Sequence, residues 1–351
     1  MSDVSAQTVE VTRRGVILDE TDLYFENEGV FNPASVQDER GIHLYYRAVS
    51  EGNYSTVGYA RLSDPTTVAE RWDHPLYTPR HLSEKHGVED PRVAVIDGVY
   101  YMTYTAFDGF NALGTLATST DGFQFKREGL ITPNIPLLEM EKHLRDAGND
   151  IHPKYFSHID MLHKREPIPD QEHILVWDKD VVFFPRKING KFAFMHRIWP
   201  GIQLVMYDQV EELTPDFWKD YFHRFPDQIM MDPKYDFESS HIGGGCVPIE
   251  TPEGWLVIYH GVEKKKYGNV YHAAAALMDL EDPTKIISQL PVPLFSPNQE
   301  YEQVGYVNNV VFPTGTAQDG DTLYMYYGAS DSHIAVASCS LEELLDALRR
   351  S

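Results

Sequence analysis

Cysteine is scarce in this chain of 351 residues: Cys246 and Cys339 are the only two, they lack metal-ligand spacing, and both read as buried thiols. Positive charge is also short. Thirty Lys and Arg stand against 53 Asp and Glu, leaving a formal charge of -23. Nucleic acid and anionic membranes need a basic face, so neither is expected as a partner. The acidity itself reads as solvated surface. No apolar run reaches membrane-spanning length. Met1-Ser2-Asp3-Val4-Ser5 has neither the basic nor the apolar region of a signal peptide, so the expectation is a cytoplasmic protein. No His, Asp or Glu pair stands at ligand spacing on a helix, and no metal or other cofactor is implied.

Aromatic residues, by contrast, are plentiful at 12%, with 21 Tyr and 5 Trp. Such a composition suits strands, and it suits a sugar site, where an apolar ring face with a polar edge is wanted. The aromatics fall into five copies of one plan. Each copy has a polar residue at a strand mouth, a proline, a tight turn and an aromatic strand. The first runs from Asn32-Pro33 to His43-Leu44-Tyr45-Tyr46-Arg47, and the second from Asp90-Pro91 through Asp97-Gly98 to Tyr104. The third runs from Lys179-Asp180 through Asn189-Gly190 to His196-Arg197, the fourth from His241 to Tyr259-His260, and the fifth from Asn309 to Tyr326-Tyr327. Small-residue strands come next, Ala273 to Ala276 among them, which reads better as strand than as helix.

The prolines at 33, 91, 185, 248 and 313 step by 58, 94, 63 and 65, so one step is roughly 30 residues too long. The excess falls in an insertion at about 133–177, where Leu137 to Leu144 has helical periodicity and Pro167 and Pro169 interrupt the chain beyond it. It reads as a surface excursion, a lid, or a contact between copies in a homo-oligomer. The expected fold is all-β: a single five-bladed β-propeller over residues 1–351, with that helical insertion and a short C-terminal helix closing the ring.

Two rings of polar residues should then converge. Asn32, Asp90, Asp180, His241 and Asn309 form one, and Arg47, Arg197, His260 and Asp331 the other. Sugar cleavage needs a carboxylic acid for the leaving oxygen, a nucleophile opposite and hydrogen-bonding groups for ring hydroxyls, and these rings supply all three. Taken singly, each has a structural explanation: Asp90 as a turn starter, Arg47 or Arg197 as an ion-pair partner, His196 or His260 as a satisfied core histidine. The set carries the argument.

Val30-Phe31-Asn32-Pro33, Glu89-Asp90-Pro91-Arg92, Ile242-Gly243-Gly244-Gly245, Gly254-Trp255 to His260-Gly261-Val262 and Tyr326 to Asp331 resemble glycoside hydrolase family 130, the β-mannoside phosphorylases and β-mannosidases. The resemblance spans about residues 28 to 340 outside the insertion. It implies a five-bladed propeller and an inverting mechanism with Asp90 as general acid, its proton passing through the mannose 3-hydroxyl. It also implies that Asn32, Arg47 and Asp331 grip the mannose and that Phe312 stands beside the second sugar.

The phosphate pocket departs from the family pattern. Where the phosphorylases open the third blade with Arg-Asn, this chain has Lys179-Asp180, and a lysine has become His241; Arg197, His260 and Tyr271 are kept. Both changes weaken an anion site. The sequence therefore favours an inverting exo-β-mannosidase on manno-oligosaccharides, β-1,2-linked first, with Glu238 and then Glu263 as base and Asp180 as a further carboxylate. Asp90 and Glu238 should then lie roughly 6.5 to 9.5 Å apart. The alternatives are a β-mannoside phosphorylase, with inorganic phosphate as co-substrate, and a non-catalytic sugar-binding propeller. The arabinanase and invertase type is disfavoured, because it needs an aspartate where this chain has Asn32.

Overall fold

The computed structural model describes residues 9–148, 151–163 and 174–351. Pro167 and Pro169, and the segment from Met1 to Ser5, lie outside the described residues. Four sheets hold the five antiparallel blades, each four strands deep, because a parallel bridge between Ser55 and Gly87 joins the first two blades into one sheet of eight strands. Gly29–Asp38, Gly41–Ser50, Tyr54–Asp64 and Thr67–Arg71 make the first blade, and Gly87–Ile96, Val99–Phe107, Ala112–Ser119 and Lys126–Leu130 the second. The third has Lys179–Phe183, Phe192–Arg197, Ile202–Tyr207 and Ile229–Met231. In the fourth the inner edge is split into His241–Gly244 and Ile249–Thr251, both paired with Gly254–Lys265; Gly268–Met278 and Ile286–Gln289 complete it. Ala273 to Ala276 are strand, buried throughout.

Val311–Asp319, Thr322–Ala329 and His333–Ser340 build the fifth blade, and its outermost strand comes from the other end of the chain. Thr12–Leu18 pairs antiparallel with His333–Ser340, Thr12 opposite Ser338. This corrects the expected closure. The helix Leu341–Arg349 exists, capped by Ser340, but it packs its Leu344, Leu345 and Leu348 across the outer strands of the fourth and fifth blades while the strand Thr12–Leu18 closes the ring. Thr-Arg-Arg-Gly has no hydrophobic alternation, which is why the strand was not legible.

Turn chemistry fixes the hairpins. Asp97-Gly98 and Asn189-Gly190 hold both residues at positive φ, which matches the twist of two-residue hairpins. The insertion is not a detached excursion. Its helices Leu137–Asp146 and Lys154–His163 lay Leu137, Met140, Leu144 and Tyr155 onto a further helix of the third blade, Pro215–His223, through Trp218, Tyr221 and Phe222. Tyr155 Oη donates to Asp232 Oδ1 at 2.9 Å and accepts from Gln203 Nε2 at 2.8 Å. The layer is thus built into the core over the third blade.

Candidate active site

The strand-mouth residues share a backbone conformation. Asn32, Asp90, Asp180 and Asn309 sit at φ of 51°, 52°, 54° and 61°. Left-handed φ is tolerated by Asn and Asp far better than by other side chains except glycine. In the first three blades the register shifts around this residue, between Phe31 and Ala34, Glu89 and Arg92, and Lys179 and Val182. Such a bulge re-aims one side chain out of the pleat. The fourth blade pairs His241 to Gly244 without a shift. There Gly243 is required for space: a Cβ would lie 2.5 Å from Asp180 Oδ2 and 2.4 Å from His260 Cε1.

The re-aimed side chains meet in a cavity of about 190 Å³ lined by Asn32, Arg47, Asp90, Lys179, Asp180, Arg197, Tyr271, Val307, Val310, Phe312 and Asp331. Asn32 Nδ2 donates to Asp90 Oδ1 at 2.8 Å, and Arg47 Nη1 lies 3.5 Å from the same oxygen. Glu89, behind Asp90, accepts from Arg47 Nη2 at 2.9 Å and Lys179 Nζ at 3.2 Å. Burial pushes the Asp90 carboxyl up, but Arg47, Lys179 and the Asn32 amide outweigh it and hold it below the ordinary carboxylate range. Asp331 goes the other way: burial raises it to about 6 against the pull of Arg47, with Asp90 adding to the rise.

On the opposite wall Asp180 lies between cations. Its Oδ2 is 3.1 Å from Arg197 Nε and 3.8 Å from His260 Nε2, and its Oδ1 is 4.0 Å from Arg92 Nη2. Burial raises its pKa despite both arginines. Arg92 is clamped from behind, its Nε donating to Gly245 O at 2.6 Å and its Nη1 to Asp90 O at 3.0 Å. The His260 ring lies tilted by 35° against the Phe312 ring, centroids 4.3 Å apart. Burial, then Arg197, His241 and Arg92, lower its pKa well below the usual histidine range, so it stays neutral. His241 does not line the cavity; its ring stands 6.3 Å from His260 and 6.1 Å from Tyr271.

Three sequence candidates lie elsewhere. Glu238 is wholly buried away from the cavity: it accepts from Lys234 N at 2.7 Å, Tyr235 N at 3.0 Å, Tyr259 Oη at 2.6 Å and Gln289 Nε2 at 3.1 Å. It is one of four copies of a brace. Glu26, Glu84 and Glu302 likewise accept from Tyr46, Tyr104 and Tyr327, at 2.8, 2.6 and 2.7 Å, and pair with Arg71, Arg127 and Arg13 of the outermost strands. His196 fills the tyrosine position of the third blade, with Nδ1 2.6 Å from Asp178 Oδ2 and Nε2 2.8 Å from Tyr221 Oη. It belongs to the brace and not to the cavity. Glu263 faces a separate surface hollow, paired with Lys265 and 3.5 Å from His272 Nε2.

The brace had a sequence signal. Glu26 stands six residues before Asn32 and Glu84 six before Asp90, with an aromatic strand after each. The cavity adds Lys179, Val307 and Val310, which sequence reasoning did not single out as site residues. No helix among the described residues is long and apolar enough to cross a membrane.

Comparison with known proteins points the same way. The model of glycoside hydrolase family 130, described as beta-1,4-mannooligosaccharide phosphorylase, matches residues 6–350. A 1,2-beta-oligomannan phosphorylase of Thermoanaerobacter sp. (strain X514) is 32% identical over 341 residues, 94% of this chain and 96% of that protein. A beta-1,2-mannobiose phosphorylase of the same organism is 32% identical over 334 residues, 91% and 93% of the two chains. Among solved structures, the beta-1,2-mannobiose phosphorylase of Listeria innocua has a TM-score of 0.72 at 23% identity, covering 97% of this chain and 100% of that one. Another, from work on family members that are glycoside hydrolases targeting beta-1,2 mannosidic linkages in Candida mannan, also gives 0.72 at 23%, covering 97% and 96%. Both chemistries share this propeller, so the fold alone does not separate them.

Proposed function

From the premise that the chain belongs to glycoside hydrolase family 130, we propose that this enzyme is an inverting β-mannoside phosphorylase. It transfers the terminal mannosyl group of a manno-oligosaccharide, β-1,2-linked first, to inorganic phosphate and releases α-mannose 1-phosphate. The observation that carries the reading is the composition of the cavity wall. The two carboxylates first in line to activate water, Glu238 and Glu263, are committed outside it, while Arg47, Lys179 and Arg197 line it. The full-length relatives named as phosphorylases of β-1,2-mannosides support the same choice. Hydrolysis, which the sequence favoured, loses its first two bases.

In this reading Asn32, Arg47 and Asp331 hold the mannose, Phe312 faces the second sugar, and Lys179, Arg197 and Tyr271 face the phosphate. A phosphate oxygen attacks the anomeric carbon from the side opposite the leaving oxygen. That oxygen takes its proton from Asp90 by way of the mannose 3-hydroxyl. An acid must be protonated when it works, and Asp90 in the open cavity is held ionised by Arg47 and Lys179 after burial has raised it. A mannoside filling the cavity excludes water and strengthens the burial that raises the Asp90 pKa, so in this reading the sugar, not the phosphate, loads the acid. No cofactor takes part.

One observation keeps a second reading in view. Asp180 does line the cavity with a raised pKa, which a water-activating base could use. Incubation with β-1,2-mannobiose, with and without phosphate, separates the two. Mannose 1-phosphate formed only with phosphate is expected. Free mannose released at the same rate without phosphate makes the chain a hydrolase instead.

A further inference from the structure

Beyond the residues that face the sugar, the cavity poses a charge problem. Arg47, Lys179, Arg197 and, behind them, Arg92 face the carboxylates Asp90, Asp180, Asp331 and Glu89. The cations are already matched. A phosphate dianion entering this balanced, water-poor space adds two negative charges, and among the described residues of the wall every cation already has a carboxylate. Binding is favourable only if a carboxylate gives up its charge.

Asp180 is the carboxylate placed to do so. Arg197 faces it from the neighbouring strand, Arg92 from the second blade, and neutral His260 from the fourth, with His241 and Tyr271 behind His260. Lys179 precedes it on its own strand, its ammonium on Glu89, and Asp90 adds negative charge across the cavity. Two buried polar atoms of this ion pair have no hydrogen-bond partner among the described residues: Asp180 Oδ2, and Arg92 Nη2, which stands 4.0 Å from Asp180 Oδ1. Oδ2 lies within ion-pair distance of Arg197 Nε yet is not aligned to accept from it. These are unspent hydrogen-bonding groups beside a cavity wall. The family pattern has an amide at this position, and a carboxylic acid O–H can donate as that amide does.

Resting on the phosphorylase reading, we propose that Asp180 is the proton-carrying wall of the phosphate site, entering the complex as the neutral acid so that each phosphate binds together with one proton. The balance is simple: carboxylate, hydrogen phosphate dianion and one proton from solvent become carboxylic acid and bound dianion. The composition is the same if dihydrogen phosphate enters and shares its proton with Asp180. Neutralising Asp180 also releases Arg197 from its ion pair to face the phosphate. Burial of Asp180, which raises its pKa against Arg197 and Arg92, already leans this way.

The test is the KM for phosphate between pH 6 and 9 in the native enzyme and in Asp180→Asn, together with calorimetric titration by inorganic phosphate in buffers of different ionisation heat. The native KM should climb about tenfold per pH unit on the alkaline side, and the titration should show one proton taken up per phosphate. Asp180→Asn should lose both the slope and the uptake, whereas Asp90→Asn, silent in turnover, should keep the uptake. Equal slopes in native and Asp180→Asn enzyme, or uptake lost in Asp90→Asn and kept in Asp180→Asn, overturn the proposal. If Asp180→Asn does not fold, uptake of no proton by the native enzyme overturns it alone. Turnover independent of phosphate overturns instead the reading on which it rests.

Discussion

A non-glycine residue in the left-handed region costs roughly 1 to 2 kcal/mol, and Asn and Asp bear it with the least strain. Asn32, Asp90 and Asp180 therefore answer two demands, that of the backbone that turns them into the cavity and that of the chemistry proposed for them there. Exchanging Asp90 for Asn meets the first demand and fails the second. Turnover of Asp90→Asn should fall by about 10²- to 10⁴-fold, with mannoside binding retained in a titration; unchanged turnover would take the acid's role away from Asp90. Asp331 offers a pH signature. Its pKa is raised to about 6 in the folded protein from the ordinary aspartate value of 3.8. The unfolded chain therefore loses this proton first, and the stability tied to it, fully present below pH 4, is lost as pH rises through 6. Asp331→Asn should flatten that decline, worth about 3 kcal/mol, in urea melts at pH 4 and pH 7. A parallel profile in both proteins would refute it.

Among the elements, the recurring brace ties the turn before a blade to the second strand and, in three blades, to an arginine of the outermost strand. The fourth blade has Gln289 in the arginine's place. Glu238→Ala would strand several buried donors at about 1 to 3 kcal/mol each, so its melting midpoint should drop while turnover per folded molecule is retained. Loss of turnover in a protein of native stability would return Glu238 to the chemistry. In the closing strand, Arg13 Nε donates to the fully buried Glu302 at 2.8 Å, with its guanidinium over Phe295. Arg13→Ala leaves that carboxylate uncompensated, and a loss of about 3 kcal/mol is expected by denaturant unfolding. A loss below about 1 kcal/mol, the range of an exposed pair, would mean that the closing strand is not held by this contact.

At the scale of the whole molecule, a net charge of -23 surrounds a cavity proposed to take phosphate. Shortening the Debye length from about 30 Å to about 8 Å with inert salt should lower the KM for phosphate by screening that repulsion. A rising KM would mean that the salt anion competes for the site. The propeller was legible because the repeat places turn, proline and aromatic strand five times over, and because Asn32, Asp90 and Asp180 recur at one position in it. Two things were not. Glu238 looks like a loop carboxylate until Glu26, Glu84 and Glu302 are seen in the same role, and that role depends on tyrosines a strand away. The inner packing of the insertion depends on Trp218 and Tyr221, some 60 to 80 residues after the Leu137 to Tyr155 side chains they meet, which no local periodicity reveals.

The latch formed by Thr12–Leu18 has a consequence for how the enzyme comes into being. Thr12 must wait for Ser338, so ring completion is about as non-local as this chain allows, and such contacts form late. During synthesis the first strand is made early and kept exposed until the final blade leaves the ribosome. The cavity draws Asn32 from the first blade and Asp331 from the last. With the roles proposed for Asn32 and Asp331, a newborn molecule should be inactive until the first and fifth blades have met, and appearance of activity should time that meeting.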